Sequence, residues 1–415
     1  MPLSKPSRGE HDAPCTSNPT GQQHLYLIFD DWPWGYSIRK LKLPPRSPHQ
    51  PSLRPLEPHR PEHKRLPPPC ICLEAPRELS MFFAAVGTNI IAAHPRNDFR
   101  NASVPECIMP IVDVRSLGVR IGPGLLYPVK PIFITVGDVE VFALDMGTFS
   151  VLSIKPLCSS HDWSWRDLTP PPIQSMDVTS VAVDSNGRTI FVSTDWATFT
   201  FDIINSEWKQ SSDCPLPFVG SANYVQALDI FVGLSKDTIG HLCFCRNLDS
   251  AENVRPGKEN LLSKDPAESH VTATLVYLGG SARFCLVQCV SITEGKSVNM
   301  RLEECDQLVK CVDEGGGNCG ELDQLKKNAD VGDGASGSMR QCGELADEQK
   351  KFVDEGDGAS RCMHYRYLYR LTTFSLSFDS NGDLTTGETC VVQCYKVPKK
   401  VSDRIFLVNP VAFWL

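Results

Sequence analysis

At 415 residues with 41% hydrophobic side chains, the chain carries enough apolar material for a sizeable core, which excludes wholesale disorder. The formal net charge is -8, but residues 302–362 hold 15 acidic and 7 basic side chains; removing these from totals of 49 and 41 leaves 34 of each sign. A formally neutral body lacks the basic surface that drives counterion release, so nucleic acid is not an expected ligand, and no apolar run is long enough to span a bilayer.

Residues 1–23 are polar and turn-rich, with no apolar stretch of the secretory type, and are expected to be disordered. The protein is therefore expected in the cytoplasm or nucleus and not outside the cell. The 17 cysteines, an odd number, are then expected to remain thiols, and the sequon Asn101-Ala102-Ser103 reads as chance. Residues 24–43 predict two strands joined by a turn at Asp30–Gly35. The Pro-dense stretch 44–69 cannot pair into a sheet and reads as a linker of polyproline II character. We assign 1–78 as a largely disordered N-terminal region containing the 24–43 strand pair.

From 79 to 301 short runs rich in Val, Ile, Phe and Thr alternate with turn signals, the pattern of an all-β fold. Asp-Ser-Asn-Gly occurs at 184–187 and again at 379–382. Asn-Gly between apolar runs predicts a hairpin, because both residues accept positive φ. Residues 302–362 differ in kind: Gly-, Asp- and Glu-rich, with CGELDQLKKNADVGDGAS at 319–336 recurring as CGELADEQKKFVDEGDGAS at 342–360. This reads as a duplicated, disordered insertion. Strand texture returns at 363–415, and the apolar end Ile405–Leu415 is expected to close the fold as its final strand.

A repeat runs through the strands: an apolar residue, an Asp, then a large or β-branched residue six positions after the Asp. Val112-Asp113 with Val119, Leu144-Asp145 with Val151, and Phe201-Asp202 with Trp208 all fit. The Asp is placed to accept N–H bonds within a tight turn. Strand-bearing sequence outside the insertion suffices for about six units of roughly 45–50 residues each. Phe201–Trp208 resembles the aromatic-Asp half of a kelch repeat, and Gly279-Gly280 after Leu275–Leu278 resembles its double-glycine half. The wider run, with MFFAAVGTNIIAAHPR, VFALDMGTFSVL, DSNGRTIFVSTDWATFTFDIINSEW and the terminal PVAFWL, resembles a grass-expanded plant family of kelch-like proteins with a domain of unknown function. The resemblance implies an all-β, kelch-like β-propeller of about six blades, complete or incomplete. It implies no established activity.

The residues point to no chemistry. Cys70-x-Cys72, Cys243-x-Cys245, Cys285-x₃-Cys289 and Cys390-x₃-Cys394 lie in strand-like sequence, where such spacings put both thiols on one sheet face, and they read as core. Asp379–Asp383 lacks the ligand pattern of a calcium loop. The histidines stand apart from nucleophiles, and no catalytic, cofactor or metal residue is assigned. The expected function is a non-catalytic protein–protein interaction module. One alternative is substrate recognition for a ubiquitin ligase through a separate adaptor; others are an oxidase-like propeller enzyme or a degenerate paralogue. Protein is the expected partner, with no nucleic acid and no membrane, and oligomeric state is left open. The loops around Trp163, Trp165 and Trp196 are the candidate binding surface.

Overall fold

A computed structural model describes residues 23–32, 34–44, 63–75, 81–93, 109–125, 128–154, 163–248, 254–280, 282–292, 366–387, 389–397 and 410–415. Residues 302–362 lie outside this set, as do 1–22, the sequon at 101–103, His94, His161 and His364.

The described chain is built from strands, as its Val, Ile, Phe and Thr content dictates. They run in chain order as β1 Leu25–Trp32, β2 Gly35–Leu41, β3 His63–Arg65 and β4 Ile71–Glu74. Next come β5 Phe82–Val86, β6 Asn89–Ala93, β7 Met109–Asp113 and β8 Gly118–Gly122, then β9 Ile132–Val136, β10 Glu140–Leu144, β11 Phe149–Ser153 and β12 Arg166–Asp167. They continue with β13 Ser180–Val183, β14 Thr189–Ser193, β15 Thr198–Asp202 and β16 Glu207–Ser212, then β17 Phe218–Val225, β18 Ile230–Ser235, β19 His241–Cys245 and β20 Arg255–Asn260. The last are β21 Glu268–Tyr277, β22 Arg283–Ile292, β23 Arg366–Ser375, β24 Ser377–Phe378, β25 Leu384–Thr385, β26 Val391–Lys396 and β27 Val411–Trp414.

These strands make six antiparallel blades. Blades 2 to 5 take consecutive quartets: β5–β8, β9–β12, β13–β16 and β17–β20. Blade 6 is β21-β22-β23-β26, with β3 added in parallel along β26 and a small β24–β25 hairpin before it. Blade 1 has the order β27-β1-β2-β4, so its innermost strand comes from the far end of the chain. Ring closure is thus a ladder from Leu25↔Trp414 to Ile28↔Val411, extended by paired bonds between His24 and Leu415 of 2.7 and 3.1 Å.

Six hydrophobic clusters hold the ring, one at each junction between neighbouring blades. Blades 1 and 2 share Tyr26, Ile38, Ile90 and Val112; blades 2 and 3 share Ile91, Ile111, Val141 and Leu152. Blades 3 and 4 meet through Phe142, Phe149 and Phe201, and blades 4 and 5 through Phe191, Phe218 and Phe231. Leu286 and Phe244 join blades 5 and 6, while Leu27, Phe29, Val287 and Tyr369 join blades 6 and 1. Each blade is therefore buried on both faces, which is why its middle strands read as nearly continuous apolar runs. Small residues on the innermost strands, including Ala85, Ala182, Ala222 and Ala412, let six strands converge on one axis.

The strand pair at 24–43 forms β1 and β2. Together with β4 it brings residues from the proposed 1–78 region into blade 1. The Pro-dense stretch supplies β3, which adds to an outer edge of blade 6 and not to a blade interior. Gly35 is required where β1 turns into β2: its φ is +153°, and a Cβ there would meet the Leu73 carbonyl oxygen and the Ala75 nitrogen. Both Asp-Ser-Asn-Gly segments are tight turns, with Gly187 and Gly382 at φ of 69° and 79°.

Candidate functional site

The zigzag of each blade sorts its turns onto two faces. On the lower face lie the turns from first to second and from third to fourth strand. On the upper face lie the turns from second to third strand and the crossings between blades. Gly87 and Asp138, both in first-to-second turns, lie against each other, and Gly187 of the next blade approaches Val136. The blades therefore share one orientation, consistent with the parallel pairing of β13 and β17.

The upper face carries large apolar side chains in positions that solvent reaches. Trp34, Val129, Met146, Met176, Trp196 and Ile239 are all exposed, Trp196 at 55%, Met176 at 59% and Ile239 at 70%. Each sits in an upper turn or crossing, in blade 1 or in the arc from the crossing into blade 3 to blade 5. Isolated exposed apolar residues are ordinary; several on one face of a rigid ring mark an interaction surface. Trp and Met are also residue types enriched in interface cores.

Local hydrogen bonding fixes this arc. Asp145 follows β10 and is only 7% exposed. Its carboxylate accepts the Val129, Lys130 and Met146 main-chain N–H groups at 2.7, 2.9 and 2.8 Å, and the Ser175 hydroxyl at 3.4 Å. One buried carboxylate thus gathers the crossing into blade 3, the upper turn of blade 3 and the crossing into blade 4. Val129, Met146 and Met176 are displayed around it. The next turn holds Trp196. Thr194 Oγ1 accepts the Ala197 N–H at 3.1 Å, Ser193 Oγ accepts the Leu216 N–H at 2.8 Å, and the indole meets Phe199 edge-on at 5.3 Å. Lys236 Nζ, 2.7 Å from Asp195 Oδ1, ties this turn to the blade 5 turn that carries Ile239.

Trp163 and Trp165 lie elsewhere, on the rim between the outer strands of blades 2 and 3. Both are half-buried, and their indole N–H groups donate to the Ser153 and Pro123 carbonyls, each at 3.0 Å. Arg120 stacks over Trp163 at 4.9 Å, and Trp165 stacks on Phe133. The structure brings Trp196 to the upper face and places Trp163 and Trp165 in blade packing. Met146, Met176 and Ile239 are not in the sequence-based set. Their only sequence signal is an apolar residue inside a turn, as in Asp-Met-Gly-Thr.

At the axis the innermost strands enclose a cavity of about 1000 Å³. They are stitched in pairs: Thr135 Oγ1 donates to the Ala85 carbonyl and Thr274 Oγ1 to the Pro410 carbonyl, each at 2.8 Å, while β13 and β17 pair directly. The aromatic residues along the wall, such as Tyr224 and Tyr277, are packed on Phe231 and Phe284.

Two of the four cysteine pairs serve packing in full, whereas Cys72 and Cys390 are exposed and do not belong to the core expected of them. Cys243 and Cys245 are buried between blades 4 and 5, and Cys285 and Cys289 between blades 6 and 1, so the two pairs cannot share an ion. Burial pushes all four thiols up to about 12. Among the described residues no three His, Cys, Asp or Glu side chains gather around a common point. His270 donates or accepts at Gln288, and burial lowers its pKa.

Of the three repeat matches, two occupy equivalent places. Asp113 and Asp202 each end a third strand and close the turn to the fourth. Asp202 accepts the Ile204 and Asn205 N–H groups at 2.9 and 3.0 Å, and the Asn205 backbone bond leads in holding its carboxyl below the usual range. Burial raises the Asp113 carboxyl, but bonds from Ser116 and Arg115 outweigh it and leave it lowered. Asp145 lies one strand earlier, in a second-to-third turn on the opposite face. Gly279 and Gly280, both at positive φ, form the β21–β22 turn.

Residues 22–328 match the model of a family described as "Protein of unknown function (DUF1668)", most of the chain. No curated protein matches. Among solved structures the chain is similar to a structural genomics protein of unknown function from Bacteroides thetaiotaomicron VPI-5482, at 13% identity and TM-score 0.34, over 52% of this chain and 55% of that one. It is similar to a chain of a nidogen/laminin complex at 9% identity and TM-score 0.36, over 65% of this chain and 88% of that one. A third is the Cps50 (Swd1) β-propeller domain of Myceliophteria thermophila, at 11% identity and TM-score 0.25, over 39% and 49%. The chain thus spans about half the length of the first and third of these. The six-bladed ring stands on its own strand order and core clusters.

Proposed function

We propose that this chain, which belongs to the DUF1668 family of proteins of unknown function, is a non-catalytic module that binds another protein through the upper face of its propeller. The observation that carries the reading is the exposed arc of Val129, Met146, Met176, Trp196 and Ile239, held in place by Asp145, Thr194 and the Lys236–Asp195 pair. A rigid ring that displays aromatic and thioether side chains from several turns offers a partner a preorganised backbone with an indole anchor and adaptable apolar contacts. Kelch-like descent belongs to the same proposal. Asp113 and Asp202 occupy equivalent turns two blades apart, each followed by an apolar residue paired across the turn, Val112↔Val119 and Phe201↔Trp208. The protein acts in the cytoplasm or nucleus, where its buried thiols stay reduced.

The test is affinity capture of tagged full-length chain from its native cells with quantitative mass spectrometry. Wild type is compared with W196A/M176A and with I204A, whose Ile204 is an exposed residue of a lower-face turn. A stable set of proteins should accompany wild type and I204A and fall by about tenfold or more with the upper-face variant. Recovery of bait alone, or capture indifferent to W196A/M176A, would remove this reading.

A further inference from the structure

The outer strands of the ring are open edges, and an unprotected edge is a template for pairing with another chain. Five of the six carry a protection. β12 is only two residues long, and β4 is four residues ending in Glu74. β16 and β20 are charged, with Glu207 and Lys209 on one and Arg255, Lys258 and Glu259 on the other. β26 is covered by β3. β8, the outer strand of blade 2, is five residues long with one charge and no covering strand among the described residues. Among the described residues it pairs with β7 alone. It exposes Val119 at 54% and Ile121 at 64%, with Leu117 beside them at 53% in the turn that leads in. Val119 and Ile121 share one side of the strand by alternation. The single charge, Arg120, points to the other side, where its guanidinium lies over Trp163.

We propose that β8 is a self-association edge, paired in solution with β8 of a second copy of this chain. The sequence of the strand supports this occupant. Gly118-Val119-Arg120-Ile121-Gly122 is close to a palindrome of side-chain size. Antiparallel pairing about a two-fold axis through Arg120 sets Val119 opposite Ile121 of the second copy, and the reverse, on one face of a continuous sheet. Glycine opposes glycine at both ends, so the backbones meet without hindrance. The two Arg120 residues fall on the opposite face, each drawn to the Trp163 of its own copy. The body outside 302–362 is formally neutral, so the one local opposition is Arg120 facing Arg120, which the pull of each guanidinium toward Trp163 reduces. The chain already adds a strand to an outer blade edge, there in parallel, where β3 pairs with β26.

Sedimentation velocity of the full chain across a wide concentration range tests the proposal, with V119K/I121K, I204K and W196A alongside. Thermal melts establish that each variant is folded. Wild type, I204K and W196A should show reversible monomer–dimer exchange, and V119K/I121K should weaken it by about tenfold or more. Amide exchange at 118–122 in wild type should slow as concentration rises, a readout that does not depend on any variant folding. A wild type that stays monomeric up to high micromolar concentration overturns the proposal. So does a dimer that survives V119K/I121K, one lost instead in W196A, or exchange at 118–122 that ignores concentration.

Discussion

Replacing Asp145 with Ala is the sharpest perturbation of the upper face. The carboxylate is 7% exposed and takes three main-chain N–H bonds at 2.7 to 2.9 Å. Hydrogen bonds to a charged group contribute about 1.5 kcal/mol or more each, so three lost together come to at least roughly 4.5 kcal/mol. The crossing at Val129–Lys130 lies near solvent and recovers part of this by taking up water. A net loss of about 3 kcal/mol is expected, or a fall of roughly 5 °C in Tm for a ring of this size. Asp145→Asn keeps the shape and one acceptor oxygen. It turns its amide donors toward one of the same N–H groups, and should fall between wild type and Ala. Urea unfolding followed by tryptophan fluorescence measures all three proteins. D145A should also lose the captured partners of the upper face, because Val129, Met146 and Met176 are no longer gathered around one anchor. A D145A protein within about 0.5 kcal/mol of wild type, with capture intact, would refute the view that this carboxylate organises the arc.

Three further outcomes follow from the ring and its core. Removing residues 410–415 deletes the innermost strand of blade 1 with its four ladder pairs, its bonds to His24 and the Trp414 indole bond to Gln23. It uncovers Leu25 and Leu27 and should cost about 5 kcal/mol or more, comparable with the whole stability of a domain; loss of the near-UV circular dichroism signal and of cooperative melting reports it, and an unchanged melt contradicts it. Cys243, Cys245, Cys285 and Cys289 hold their protons to about 12 when folded against an ordinary 9.0 when unfolded. The unfolded state therefore binds fewer protons between those values, and stability should fall as pH rises from 9 toward 12, with a slope that flattens in C243S/C285S. In the native protein at mildly alkaline pH, iodoacetamide should modify Cys72, Cys214 and Cys390, which are exposed, and reach the buried four only after unfolding.

Much of the fold is legible in the sequence, for local reasons. The Asp-Ser-Asn-Gly turns, the apolar runs and the Asp202-to-Trp208 turn each record a preference that their own few residues enforce. The same rule misleads at Asp145. Its spacing to Val151 copies that of Asp202 to Trp208, but beyond the Met146 N–H of its own turn its carboxylate also serves the Val129 and Lys130 N–H groups of a distant crossing. Sequence periodicity does not separate a second-to-third turn from a third-to-fourth turn. The place of β1, β2 and β4 is hidden for a different reason. A Pro-dense stretch separates β2 from β4, and only pairing with β27, nearly the whole chain away, makes them a blade.

The binding surface is the least legible part. Tryptophans attract attention in a sequence, yet Trp163 and Trp165 find carbonyl partners and stacking neighbours within the ring, while Trp196 meets Phe199 edge-on and stays 55% exposed. Met146, Met176 and Ile239 gain meaning only when ring closure puts their turns on one face. No window of sequence contains that information, since it depends on how many strands lie between successive turns.

The measurement that bears most directly on the interaction-module account is site-specific photo-crosslinking in native cells. A benzophenone side chain is placed at Met176 on the upper face or at Ile204 on the lower face, both well exposed. The account predicts discrete crosslinked protein adducts from position 176 that are absent from 204. Equal adducts from both positions, or none from 176 in folded and normally abundant protein, would contradict it.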